Sequence, residues 1–81
     1  MATLHWMNAH QLQDLLLNRL VRQHGGERRR WRSAMGPIRM HDLATHAHCN
    51  WSIYPSGSVR ENAAIERLLD DVRGAQPIIS E

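Results

Sequence analysis

Residues 45–54 have the sequence THAHCNWSIY, in which small or apolar side chains alternate with polar ones. The apolar positions are Ala47, Cys49, Trp51 and Ile53. The polar positions between and beside them are His46, His48, Asn50, Ser52 and Tyr54. A period of two is typical of a strand that is buried on one face only. The segment therefore predicts a half-buried strand whose polar face carries groups that bind ligands and titrate.

The residues before this segment predict two more strands. In residues 28–35 Arg28, Arg30 and Arg32 alternate with Arg29, Trp31, Ser33 and Met35, and in residues 38–41 Ile38 and Met40 alternate with Arg39 and His41. Gly36-Pro37 separates the two runs, and such a pair is typical of a turn. We therefore expect a hairpin followed by the third strand at residues 45–54.

Helices are predicted at both ends of the chain. Asn8 and Gln11 form a capping-box pattern, and so do Ser58 and Glu61. The first helix is expected over residues 9–24, ending at Gly25-Gly26, and the second over residues 59–73, with Gly74 as its stop. Residues 76–80 are a candidate edge strand.

These elements predict an α+β fold with the order α-β-β-β-α-(β). Two helices would pack on one face of a small, mainly antiparallel sheet of three to four strands, in a single domain over residues 1–81. The order helix–three strands–helix is similar to that of double-stranded-RNA-binding folds and some small toxin ribonucleases, although none of their sequence motifs is present.

In this arrangement the uncovered face of the sheet would be basic and rich in histidine. Its members would be Arg28, Arg30, Arg32, Arg39, His41, His46, His48, Asn50 and Tyr54. Arginines contact phosphates, and Tyr and His rings stack on unpaired bases. We therefore expect a binding protein rather than an enzyme, without a cofactor, whose ligand is nucleic acid or another polyanion.

The composition fits a small intracellular protein that contacts anions. All ten cationic side chains are arginine, which fits either codon bias or selection for bidentate anion binding. Residues 1–41 hold seven Arg and two acids, or +5, whereas residues 42–81 hold three Arg and six acids, or −3. One cysteine excludes an internal disulfide, and no apolar run is long enough to cross a bilayer. We expect a cytoplasmic, prokaryotic protein that does not contact membranes.

Three alternative functions remain open. His46 and His48, with His41 from the neighbouring strand, have a spacing that can bind zinc. The same histidines could cleave phosphodiesters by acid–base catalysis, with arginine stabilising the phosphate charge. The third alternative is a regulatory or protein-interaction module. The apolar arc of the first helix is wide enough to predict a homodimer through Leu17 and Val21.

Overall fold

A computed structural model describes residues 6–80 of the chain. Three helices dominate this part: α1 (Ala9–His24), α2 (Arg28–Met35) and α3 (Val59–Ala75). Two antiparallel strands of two residues each, β1 (Arg39–Met40) and β2 (Trp51–Ser52), lie between α2 and α3 in the sequence. The predicted fold with a three- to four-stranded sheet is therefore wrong, and the expected similarity to double-stranded-RNA-binding folds is lost with it.

The two long helices begin at the predicted caps. The Asn8 side chain accepts the Gln11 backbone N–H, while the Gln11 side chain accepts that of Asn8; Ser58 and Glu61 are bonded in the same way. These bonds satisfy backbone donors that a helix start leaves free. The predicted limits of α1 are confirmed. α3 continues through Gly74, the predicted stop, to Ala75.

The segment predicted as the first strand is helix α2. Its buried residues, Trp31, Ala34 and Met35, have the i, i+3, i+4 spacing of one helix face. Arginine also has a high helix propensity, and the run contains no β-branched residue to oppose it. Gly36, at φ 73°, ends the helix, and its N–H donates to the Arg32 carbonyl at 3.0 Å. The arginines at every second position favoured a strand, although the apolar residues have the spacing of a helix.

The three helices enclose one hydrophobic core, to which the hairpin and the C-terminal tail are attached. The core side chains are Leu12, Leu16, Leu17, Leu20, Trp31, Ala34, Met35, Trp51, Ile53, Ile65, Leu68, Leu69, Val72 and Ile79. Leu17 is among the fully buried residues, so it offers no surface to a second chain. Leu17 therefore cannot take part in the predicted dimer interface, whereas Val21 is half-buried and the homodimer itself stays a prediction.

The predicted strand at residues 45–54 forms only at its end. Met40 pairs with Trp51 and Arg39 with Ser52. Trp51 and Ile53 are buried while Tyr54 is exposed, as the alternation predicts. Residues 42–48, however, form an exposed loop that begins with a turn in which Asp42 accepts the Ala44 N–H. Short polar side chains that bond the local backbone favour such turns over strands.

The candidate edge strand at residues 76–80 is replaced by a single bridge. Ser80 bridges to Asn8 in parallel, and its N–H donates to the Met7 carbonyl at 2.9 Å. None of the helices in residues 6–80 is long and apolar enough to cross a membrane.

Candidate functional site

The structure distributes the predicted basic face over α2, the hairpin and the loop that follows β1. Arg28, Arg30 and Arg32 lie on a helix, where each residue is rotated by about 100° from the last, so Arg28 and Arg32 share a face and Arg30 lies on another side. Arg39 and Tyr54 remain near each other, with the guanidinium 5.4 Å from the centre of the ring. The nine residues therefore do not form one surface.

Two of the predicted anion-binding arginines instead connect helices. Arg28 donates to Asp14 and Asn18 of α1. Arg30 donates to both carboxylate oxygens of Glu61 on α3, at 2.7 Å each. The Arg30 hydrogen bonds lower the pKa of Glu61 to about 2, assisted by the Ser58 backbone N–H, and the same contact raises the pKa of Arg30.

The arginines that remain available lie on the solvent side of α2. Arg29 and Arg32 are exposed, and neither takes part in an ion pair within residues 6–80. Together with the anchored Arg28 they line a surface depression of about 200 Å³. We call Arg28, Arg29 and Arg32 the arginine patch. Sequence analysis placed Arg28 and Arg32 in the site but missed Arg29; the i, i+3 spacing of Arg29 and Arg32 was the available signal.

The start of α2 strengthens the positive potential of this patch. Its N-cap, Glu27, makes no side-chain capping bond, and its first turn contains no acidic residue. Cations are unfavourable at a helix N-terminus because the helix dipole is positive there. Asp14 and Glu61 from the neighbouring helices offset the charges of Arg28 and Arg30, whereas Arg29 has no such partner in the described chain.

Asn50 has a structural role that the sequence did not reveal. The side chain is buried, with 5% of its surface exposed, and its amide clamps the backbone of Ile79. Nδ2 donates to the Ile79 carbonyl at 2.7 Å, and Oδ1 accepts the Ile79 N–H at 2.9 Å. Its own backbone N–H donates to the Pro77 carbonyl. The Asn50 amide is therefore engaged by the C-terminal tail, and the residue also lines a surface depression of about 510 Å³ beside His41 and Asp42.

The histidines gather only in part. The rings of His41 and His46 stack at 4.2 Å between centres, and His41 Nε2 lies 2.7 Å from Ser52 Oγ. His46 bonds its neighbour Thr45, and His48 is exposed in the loop. Cys49 is half-buried and its thiol faces the Trp51 carbonyl.

These positions do not assemble the ligand set that a zinc site needs. No group of three His, Cys, Asp or Glu side chains within residues 6–80 is placed to hold a metal ion. The hydrogen bond between His41 and Ser52 joins diagonal positions on the hairpin, and it orients the imidazole against the His46 ring. The stacking of the His46 ring on this imidazole connects the exposed loop to the hairpin.

A groove that the sequence did not reveal lies between α3 and residues of the other two helices. It has a volume of about 430 Å³ and is lined by His24, Trp31, Arg60, Glu61, Ala63, Ala64 and Arg67. Trp31 is 8% exposed and donates its indole N–H to the Gly25 carbonyl at 2.8 Å. Arg60 and Arg67 are seven residues apart, so they recur on one side of α3, and this spacing was the signal available in the sequence.

Comparison of the chain with protein-family models, with curated proteins and with solved structures gives no match in any of the three. The arginine patch and the groove are therefore the features from which a function can be inferred.

Proposed function

We propose that this protein binds the phosphate backbone of nucleic acid through the arginine patch on α2. The observation that carries the proposal is the convergence of Arg28, Arg29 and Arg32 on one surface depression, with Arg29 and Arg32 unpaired within residues 6–80. A guanidinium presents a planar set of donors that matches two phosphate oxygens.

The three arginines are suited to different parts of this task. Arg28 is held by Asp14 and Asn18, so its position on the patch is fixed before a ligand arrives. Arg29 and Arg32 are free to reorient and lie one helical turn apart, on the same side of α2. Such contacts position a phosphate backbone without identifying bases, so the proposal includes little sequence preference. The half-buried, single cysteine suits a reducing compartment, and we place this function in the cytoplasm.

Charge reversal on α2 tests the proposal. Arg29→Glu and Arg32→Glu are each compared with Arg39→Glu, which produces the same change in net charge on the hairpin. Fluorescence anisotropy with labelled single- and double-stranded DNA and RNA should show that each α2 variant binds at least about tenfold more weakly, or 1.4 kcal/mol. Arg39→Glu should stay within about threefold of wild type.

The outcomes separate this proposal from a general effect of charge. Equal losses in all three variants would show that net charge, rather than the arginine patch, controls binding. Heparin at the same concentration of negative charge serves as a competitor. If heparin displaces nucleic acid under these conditions, the ligand of the arginine patch is a polyanion in general rather than nucleic acid in particular. Absence of binding by the wild type at low salt would overturn the proposal.

A further inference from the structure

The outer side of α3 divides by charge along its length. Arg60 is exposed near its N-terminal end and Arg67 at its middle, and Asp70 and Asp71 are exposed towards its C-terminal end. Spacings of three, four and seven residues bring these four side chains to the same side of the helix. They lie opposite the face that packs into the core through Ile65, Leu68, Leu69 and Val72.

Neither end of this charged stripe is compensated by the rest of the described chain. Arg60 and Arg67 form no ion pair within residues 6–80: of the two acidic residues between them, Glu61 is bonded to Arg30 and Glu66 is exposed without an ion pair. Asp71 also forms none, and Asp70 meets Arg73 only at 3.6 Å across an exposed surface. Acidic residues near a helix C-terminus are further opposed by the negative end of the dipole.

The groove beside the cationic half of α3 follows the helix. It extends over two turns, about 10 Å of helix length between Arg60 and Arg67. Ala63 and Ala64 line it between these arginines, and such small side chains let a second backbone approach closely. At the other end of α3, a Cβ added to Gly74 would meet no atom of residues 6–80 within 4 Å. Packing within these residues therefore does not explain a glycine there, although glycine weakens a helix relative to alanine.

We propose that a second copy of this chain occupies the groove, with the two α3 helices antiparallel. In that orientation Arg60 of each α3 faces Asp70 and Asp71 of the other, Arg67 lies near the twofold axis, and the axis makes both contacts identical. The charge pattern favours a second copy over a foreign protein because each half of the stripe supplies the charges that the other half lacks. The dimer uses no residue of the arginine patch, so it does not rest on the proposed nucleic-acid function.

Two charge-reversal variants test this dimer. Arg60→Glu/Arg67→Glu makes the outer stripe of α3 acidic throughout, and Asp70→Arg/Asp71→Arg makes it basic throughout. Each variant alone should remain at the monomer mass of 9.4 kDa, because like charges then face each other. An equimolar mixture of the two should dimerise, since the reversed stripes are complementary. Arg29→Glu/Arg32→Glu is the control and should dimerise like the wild type.

Sedimentation equilibrium at low salt measures these masses. Over about 10 µM to 1 mM, a range suited to a small interface, the wild-type mass should rise towards twice the monomer value and fall again when salt is added. Circular dichroism verifies that the variants, all changed at exposed positions, remain folded.

Three results would overturn the proposal. The first is a wild type that stays monomeric over the whole concentration range, whether or not its groove binds an acidic helical peptide. The second is dimerisation of either variant alone to the wild-type extent, which would place the interface elsewhere. The third is a mixture of the two variants that stays monomeric when the wild type dimerises.

Discussion

Replacing Asn50 by alanine should destabilise the protein strongly, because the amide is the partner of a buried backbone segment. Ile79 is 2% exposed, and both its N–H and its carbonyl are bonded by the Asn50 side chain. Alanine would leave these two groups without their partner. A buried polar group that loses its partner costs about 1–3 kcal/mol, so we expect a loss of about 2–4 kcal/mol, allowing for partial relaxation.

This loss is large compared with the total stability of so small a chain. At about 0.05–0.15 kcal/mol per residue, a protein of 81 residues has a free energy of unfolding of about 4–12 kcal/mol. The Tm of Asn50→Ala should therefore fall by roughly 10–30 °C, since a domain of this size loses about 4–8 °C per kcal/mol.

Urea denaturation followed by circular dichroism measures the effect directly. Asn18→Ala is the matched control, because Asn18 is exposed and bonds only Arg28 among the side chains of residues 6–80; its cost should be at most about 1 kcal/mol. A change below about 0.5 kcal/mol in Asn50→Ala would refute the clamp and would return Asn50 to the candidate binding residues.

Three further predictions concern α3 and the turn that precedes it. Wild type should be more stable than Glu61→Gln, and this difference in unfolding free energy should be complete above the ordinary pKa of 4.5. It should disappear as the pH falls towards about 2, because the Arg30 ion pair lowers the pKa of Glu61. Acid titration of both proteins measures the difference, and a difference that does not change with pH would contradict the prediction. Gly57→Ala should cost about 1–3 kcal/mol in urea denaturation, since a Cβ there would lie 2.6 Å from the Ala34 Cβ, and an unchanged stability would contradict that crowding. Val59→Ala, at an 88% exposed position, should change the unfolding free energy by at most about 0.5 kcal/mol, and a larger loss would reveal a contact absent from the structure.

The helix ends were predictable because their signals are local. Asn8 with Gln11 and Ser58 with Glu61 satisfy backbone donors within four residues of chain, so no knowledge of the rest of the fold is needed. The extension of α3 past Gly74 could not be foreseen in this way. Glycine permits a helix stop but does not require one, and here the final turn is continued by the Gln76 N–H bonding the Val72 carbonyl.

The prediction of a three- to four-stranded sheet was wrong because arginines at every second position do not indicate which side of the segment is buried. Exposed charges tolerate any spacing, whereas Trp31, Ala34 and Met35 had to meet the core and had helical spacing. Alternation did identify Trp51 and Ile53 as buried, because those side chains bury apolar area.

The candidate site was only partly visible in the sequence because ion pairing between distant elements decides which charges are free. Arg28 and Arg30 have the same local context as Arg29, yet Asp14 lies 14 residues away from Arg28 and Glu61 lies 31 residues away from Arg30. The tertiary arrangement of the three helices engages Arg28 and Arg30 in ion pairs, and it leaves Arg29 and Arg32 without an ion pair within residues 6–80.

The salt dependence of nucleic-acid binding tests the central claim most directly. The logarithm of the association constant, measured against the logarithm of salt concentration, has a slope that counts the phosphates neutralised. We predict that Arg29→Ala/Arg32→Ala reduces the magnitude of this slope by about two, whereas Arg39→Ala leaves it unchanged. An unchanged slope in Arg29→Ala/Arg32→Ala, or no salt-dependent binding by the wild type, would contradict the assignment of the arginine patch as a phosphate-binding surface.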